Sequence, residues 1–347
     1  MKKIKILVPY LIISIILIVG MLIKVYADYL YSSSEVYYEN NNSTLLSTDL
    51  QSAIEELDTK CENRIAASQE CPEGYKCEEI PKLCKRATTL HTETCSSGSS
   101  SSNYYCYADG YYSGGSQNTT TITYGQLGTA GNEPSPGDAF DCDVTGNGDW
   151  ERFYYVSNYF DTSTQSFDND YYVFIYYSNT YGGVADTSNT VAWYSSSNSA
   201  SYGPTTVMAQ LPKTTGTNAW RDDLLKTTTR NILMGSSVTS VTSTAKSNFS
   251  YEGYAARLLT MQELKSACPN ATTSTGSMTS CNYFSERTKY SKSSYLTYGP
   301  WLESAYPSAY AWGVDSYLRK VNYSNTSTSI TYGARPAIEV PKSKVSF

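Results

Sequence analysis

The chain has 347 residues, 40% of them hydrophobic, which is enough for one large domain with accessory segments. Its net charge of −6 and the lack of a basic patch exclude a nucleic-acid binder. A single histidine leaves a nucleophile–histidine pair or a two-histidine zinc set without its parts, so no catalytic residue is expected.

Met1 to Lys5 carries three lysines, and an almost wholly apolar run follows from Ile6 to Ile23. As a helix the run spans ~27 Å, just enough to cross a bilayer core. The positive flank keeps the N-terminus in the cytoplasm and exports the rest. Residues 1–27 are therefore expected to be a membrane anchor or a signal peptide. Val25 and Ala27 allow cleavage before Asp28, which is the secreted alternative.

Residues 28–67 read as an extended Tyr/Ser/Asn spacer and a helical neck. Thr48 and Gln51 form a capping box, and Leu50, Ala53, Ile54 and Leu57 form one apolar stripe. So short a helix needs a partner, either its own domain or further copies of the chain. The neck resembles those of phage fibres and bacterial surface proteins, which implies a homo-oligomer.

Residues 68–135 are cysteine-rich and end in a Gly/Ser/Thr linker. Cys61, Cys71, Cys77, Cys84, Cys95 and Cys106 show no C-x-x-C spacing, so disulfides are expected there rather than zinc. Cys142, Cys268 and Cys281 bring the total to nine, an odd number. Cys268 and Cys281 are close enough to staple the loop between them.

The main domain is read as residues 136–347. Strands are expected at Arg152 to Ser157, Tyr171 to Tyr177 and Val191 to Tyr194, and a helix at Asn218 to Thr228. Asp143, Thr145, Asn147 and Asp149 alternate as oxygen ligands of a calcium loop do, with Gly148 at the sharp turn. The closing glutamate is missing, and the plain alternative is an Asp/Asn/Gly turn. Calcium is the one cofactor expectation.

Thr260 stands three residues before Glu263, a second capping box, with Leu264 on the inner face of a short helix. The stretch Arg257–Leu264 resembles the R-L-P-T-x-x-E-W element of the C-type-lectin-like and formylglycine-generating-enzyme fold. Gly299–Ser304 resembles a Y-W-L-R-S segment of bacterial surface domains thought to share that fold. Ala311–Asp315 matches their A-W-x-V-x strand, and Tyr332–Ile338 their closing G-x-R-P-x-I strand.

The resemblance implies an α+β, C-type-lectin-like domain, with Trp301, Leu302, Trp312 and Val314 in its core. Ligand contact then falls to the tyrosines between those strands: Tyr295, Tyr298, Tyr306, Tyr310, Tyr317 and Tyr323. Arg335 is expected to be a buried anchor, with Glu263 as one partner. No cysteine follows Cys281, so the reactive pair of the formylglycine-generating enzymes is missing. The expected function is a membrane-tethered bacterial surface protein binding glycan or protein ligands. The alternatives are a structural or pilus-like subunit and, last, an enzyme of that fold.

Overall fold

The computed structural model describes residues 81–95, 120–186, 189–287, 289–291, 296–316, 318–327 and 332–347. The anchor or signal helix and the helical neck lie outside these residues. No described helix is long and apolar enough to cross a membrane.

In chain order the strands are β1 (Cys84–Arg86), β2 (Thr92–Cys95), β3 (Thr120–Thr123), β4 (Ala139–Cys142), β5 (Glu151–Asp161), β6 (Ser166–Tyr176), β7 (Thr180–Tyr181) and β8 (Val184–Ala185). A single helical turn, α1 (Thr205–Met208), precedes β9 (Thr229–Met234) and β10 (Ser243–Ser250). Then come α2 (Met261–Ala267), β11 (Lys289–Ser291), β12 (Leu296–Tyr298), β13 (Trp301–Tyr306), β14 (Tyr310–Asp315), β15 (Lys320–Asn325), β16 (Ala337–Pro341) and β17 (Val345–Ser346).

This corrects the α+β, C-type-lectin-like class. The described α-helices have only four and seven residues, and the body is built from a six-stranded and a five-stranded sheet. Runs such as Arg152–Val156 and Tyr171–Ile175, rich in Tyr, Val, Phe and Ile, favour pleated surfaces over helices. The helix expected at Asn218 to Thr228 is irregular chain. Trp220 and Leu224 are buried there, but the backbone is claimed by neighbours. Arg221 N–H donates to the Val144 carbonyl at 2.7 Å, and Leu224 C=O accepts from Glu339 N–H at 2.7 Å. Val191 to Tyr194 likewise forms no strand.

The larger sheet runs β16-β6-β5-β4-β1-β17. Only residues 342–344 separate β16 from β17, so Pro341 and Val345 lie within ~14 Å. Six strands laid flat would put those edges ~24 Å apart. The sheet therefore curls until its edges meet at the C-terminal segment, around Phe140, Phe153, Phe174, Trp220 and Ile338. β1 belongs to this sheet, parallel to β17 and antiparallel to β4, and Cys84 is bonded to Cys142. The sheet thus begins well upstream of residue 136, where composition opens the domain.

The second sheet runs β10-β9-β13-β14-β15. Leu302, Trp312 and Val314 pack on α2 and the inner face of β5, while Trp301 belongs to the cluster on the other side. All four are buried, as the motifs imply. Gly299 is required by a close approach, because a Cβ there would sit 1.6 Å from the Val314 carbonyl oxygen.

Five buried charges tie the sheets together. Arg257 donates to both oxygens of Glu263, at 2.6 and 2.8 Å, and to Glu339 on β16. Arg230 on β9 donates to Glu303 on β13 at 2.9 Å, to the Tyr159 hydroxyl at 3.1 Å and to the Phe160 carbonyl at 3.1 Å. Glu263 also accepts from Phe160 N–H at 3.1 Å and from its own cap residue, Thr260, at 3.0 Å. The expected capping box is therefore present and is one corner of an ionic centre. Thr260→Ala removes one cap bond and is expected to cost about 1 kcal/mol, read as a lowered urea midpoint.

Candidate functional site

The hairpin of β13 and β14 turns at Pro307-Ser308-Ala309, with Ser308 left-handed at φ 71°. Tyr306 and Tyr310 flank the turn directly. Across the sheet Trp312 pairs with Tyr323, so three of the expected tyrosines share one face with the buried indole. Tyr306 and Tyr323 stack with centroids 4.0 Å apart and planes at 14°. Tyr310 stands edge-on to both, at 6.0 and 5.7 Å. Trp312 meets Tyr306 and Tyr323 edge-on from below, at 5.1 and 5.6 Å. Tyr310 is 38% and Tyr323 40% exposed, and Tyr306 is half-buried between them and the core.

The cluster is therefore the outer end of a core face, with its rings in mutual aromatic contact. Such rings present a large apolar area with a polar tip and little rotamer freedom to lose. Tyr295 and Tyr317 lie outside the described residues. Of Tyr298 only the backbone, paired in β12, is described.

The Asp143–Asp149 loop is closed on itself. Asp143 accepts from Gly146 N–H at 2.8 Å and from Gly148 N–H at 3.2 Å. Thr145 donates to Asn147 at 2.5 Å, and Asn147 donates to Asp149 at 2.8 Å. Gly146 and Gly148 take the positive φ values of 74° and 87° that this turn needs. Among the described residues no group of three or more His, Cys, Asp or Glu could hold a metal. Both Asp143 oxygens are engaged by the loop's own N–H groups and one Asp149 oxygen by the Asn147 amide, the bonding pattern of an Asp/Asn/Gly turn. The melting temperature is accordingly expected to be the same in excess calcium and in excess chelator, since only a ligand of the folded state raises it.

Arg335 is buried as expected, but its partners are carbonyl oxygens and not Glu263. It donates to Tyr176 and Phe284 at 2.6 Å and to Tyr283 at 2.8 Å. Burial pulls its guanidinium down to about 10, which leaves it charged at neutral pH. Beside it the single histidine has a role that its sequence neighbours do not suggest. His91 Nδ1 pairs with Glu286, whose second oxygen accepts from the buried Tyr154 hydroxyl. Burial raises the Glu286 carboxyl above its ordinary value, and the Tyr154 bond and Arg335 oppose that shift. Together with Asn282, which bonds Gly125 N–H and the Thr123 carbonyl, this cluster fastens the β2–β3 arm to the body.

A second exposed aromatic pair was not expected. Tyr194 and Tyr202 stack at 4.9 Å and 20°, and Tyr202 is 52% exposed. Their segment, Tyr-Ser-Ser-Ser-Asn-Ser-Ala-Ser-Tyr, has no apolar periodicity to mark it. Only the composition, tyrosines around serine and asparagine, could have drawn attention to it.

Compared with family models, with curated proteins and with solved structures, the chain matches none of them. The lectin-like resemblance gains no support, and the reading of the site rests on its geometry.

Proposed function

We propose that the chain is an exported, membrane-tethered binding protein whose β-domain engages its ligand through Tyr306, Tyr310 and Tyr323. The observation that carries this is the stacked tyrosine cluster standing on buried Trp312, with Tyr310 and Tyr323 open to solvent. Export is supported by the lysine-then-apolar order at residues 2–23 and by the disulfides Cys84–Cys142 and Cys268–Cys281. No catalytic role is assigned. The most buried of the described titratable clusters are an ionic centre sealed between the sheets and the pair of buried Glu286 with part-exposed His91, which clamps an arm.

The test is an array of glycans and surface proteins probed with the full-length protein in a lipid nanodisc. Replacing Tyr310 and Tyr323 together with Ala is expected to leave the denaturation midpoint nearly unchanged, because both rings are well exposed. The same double variant should lose array binding. Normal binding by the variant places the site elsewhere, and its unfolding assigns the tyrosines to the core. Protease shaving of intact cells checks the topology, since epitopes beyond Asp28 should be removed.

A further inference from the structure

The chain carries no Asp, Glu, Lys, Arg or His from 187 to 212, from 304 to 314, or from 321 to 334. With 17% of all residues charged, three such gaps would mean little if they lay apart in the fold. They do not. Ala200 N–H donates to the Ser308 carbonyl at 3.1 Å, which joins the first gap to the tip of the β13–β14 hairpin. Thr326 N–H donates to the Ala309 carbonyl at 2.8 Å, and Tyr194 N–H to the Thr326 carbonyl at 2.8 Å. Thr326 Oγ1 reaches the Ser197 carbonyl at 3.3 Å, and Ser327 bonds Asn198. Three charge-free segments thus converge on one end of the second sheet.

That end carries both aromatic groups. Tyr306, Tyr310 and Tyr323 stand on the Trp312 face of the sheet, and Tyr194, stacked with Tyr202, packs on the Trp301 face, so the two sets flank the hairpin tip at Ser308 from opposite sides. Tyr202 is two residues from Ala200, and Tyr310 is two from Ser308. Across one hydrogen bond the Cα atoms of Tyr202 and Tyr310 are therefore within about 20 Å of each other. Between and around them stand exposed Ser195, Ser196, Ser197 and Asn198 and half-buried Asn325 and Ser327. Lys246, from β10, stands at the Tyr202 end of this region, where its ammonium donates to the Tyr202 carbonyl at 3.4 Å.

We infer that this ridge binds a neutral oligosaccharide, long enough to touch both Tyr202 and the Tyr310–Tyr323 group. The inference rests on the binding role proposed above and adds the ligand class and the second half of the site. A protein or an acidic polymer brings charges that such a surface would desolvate without partners, at a heavy cost. It also offers no electrostatic complementarity to set the register of a protein partner. A neutral sugar has no charge to strand. Its apolar ring faces fit against tyrosine rings, and its hydroxyls find the amides and hydroxyls of Asn198, Asn325 and Ser327.

The experiment titrates the full-length protein in a nanodisc with neutral hexasaccharides (malto-, laminari-, cello- and N-acetylated chitohexaose). Heparin, polygalacturonate and the corresponding neutral disaccharides serve as comparisons. At least one neutral hexasaccharide is expected to bind, with an affinity indifferent to salt, since no ion pair is made. Its disaccharide should bind at least about tenfold more weakly, and Tyr202→Ala and Tyr323→Ala should each cost about tenfold or more.

Binding only to the anionic polymers, or binding that fades with salt, overturns the ligand class. So does a protein ligand on the array that depends on Tyr310 and Tyr323, although that result keeps the proposed site. A neutral ligand that ignores Tyr202→Ala overturns the two-sided ridge alone. No binding of any probe, neutral, anionic or protein, overturns both readings. Tyr202→Phe, which keeps the ring, separates lost stacking from lost folding and should bind within about threefold of wild type.

Discussion

Arg257→Ala is expected to bring the domain to the edge of unfolding. The side chain is fully buried and holds Glu263 through two bonds and Glu339 through a third. Removing it strands two carboxylates between the sheets, with Arg230 as the remaining buried cation close to Glu339. Breaking a buried pair by deleting one partner costs about 3–5 kcal/mol, a large share of the 5–15 kcal/mol that holds a typical domain together. Urea denaturation followed by near-UV circular dichroism measures the loss. Arg257→Lys should recover little, because an ammonium cannot make the bidentate contact. A midpoint unchanged in Arg257→Ala would mean that the ionic centre contributes nothing to the fold.

The same centre sets the pH dependence. Burial opposes ionisation of Glu263, but the charges of Arg257 and Arg230 and its hydrogen bonds overcome this and hold its carboxyl below the ordinary value. Its stabilisation is therefore present above the unfolded carboxylate value, about 4.3, and is lost as pH falls through the lower folded one. Glu303 has the opposite sign: burial raises its carboxyl, so the folded chain takes up that proton more readily than the unfolded one. Stability should rise slightly from neutral pH toward mild acidity and then fall as Glu263 protonates. Glu303→Gln should reduce the rise to the share left by Glu286, whose carboxyl burial also raises, and leave the acid limb.

Trp312→Ala is the second large effect. The indole is fully buried, donates from Nε1 to the Gly235 carbonyl at 3.1 Å, and carries the edges of Tyr306 and Tyr323. Truncating so large a core aromatic costs about 3–5 kcal/mol. The tyrosine cluster should loosen along with the core, so binding and stability fall together in this variant. In the Tyr310/Tyr323 double variant they should separate. Equal midpoints for Trp312→Ala and wild type would show that the indole is not a core residue.

What the sequence made legible was local chemistry. The Thr260–Glu263 box, the tryptophans of β13 and β14, the cores of β5 and β6 and the Cys268–Cys281 bond all follow from short-range pattern. The fold class did not, because a capping box and a closing G-x-R-P strand describe junctions and not the number or order of strands between them. Arg335 shows the limit well: its burial was readable from the motif, yet its three carbonyl partners lie 51, 52 and 159 residues away. Glu286 carried no signal, since its partners Tyr154 and His91 are 132 and 195 residues distant. For the proposed site, the tyrosines of β13–β15 were marked by the strands around them. The Tyr194–Tyr202 stack was hidden in a stretch whose irregular backbone leaves no periodicity.

A tension that parts Lys82 from Phe347 would be borne along the strands and not across them. β1 and β17 run side by side in the same direction, so pulling the start of one away from the end of the other slides them past each other. Their bonds are then strained together, where an antiparallel pair pulled from one end would unzip one bond at a time. The Cys84–Cys142 bond enters at the first residue of β1 and passes the load directly to β4. The chain between those two cysteines, with the β2–β3 arm and its His91 clamp, lies inside that covalent loop and off the line of force. Under such a tension the β1–β17 pair would bear the load while the arm stayed slack.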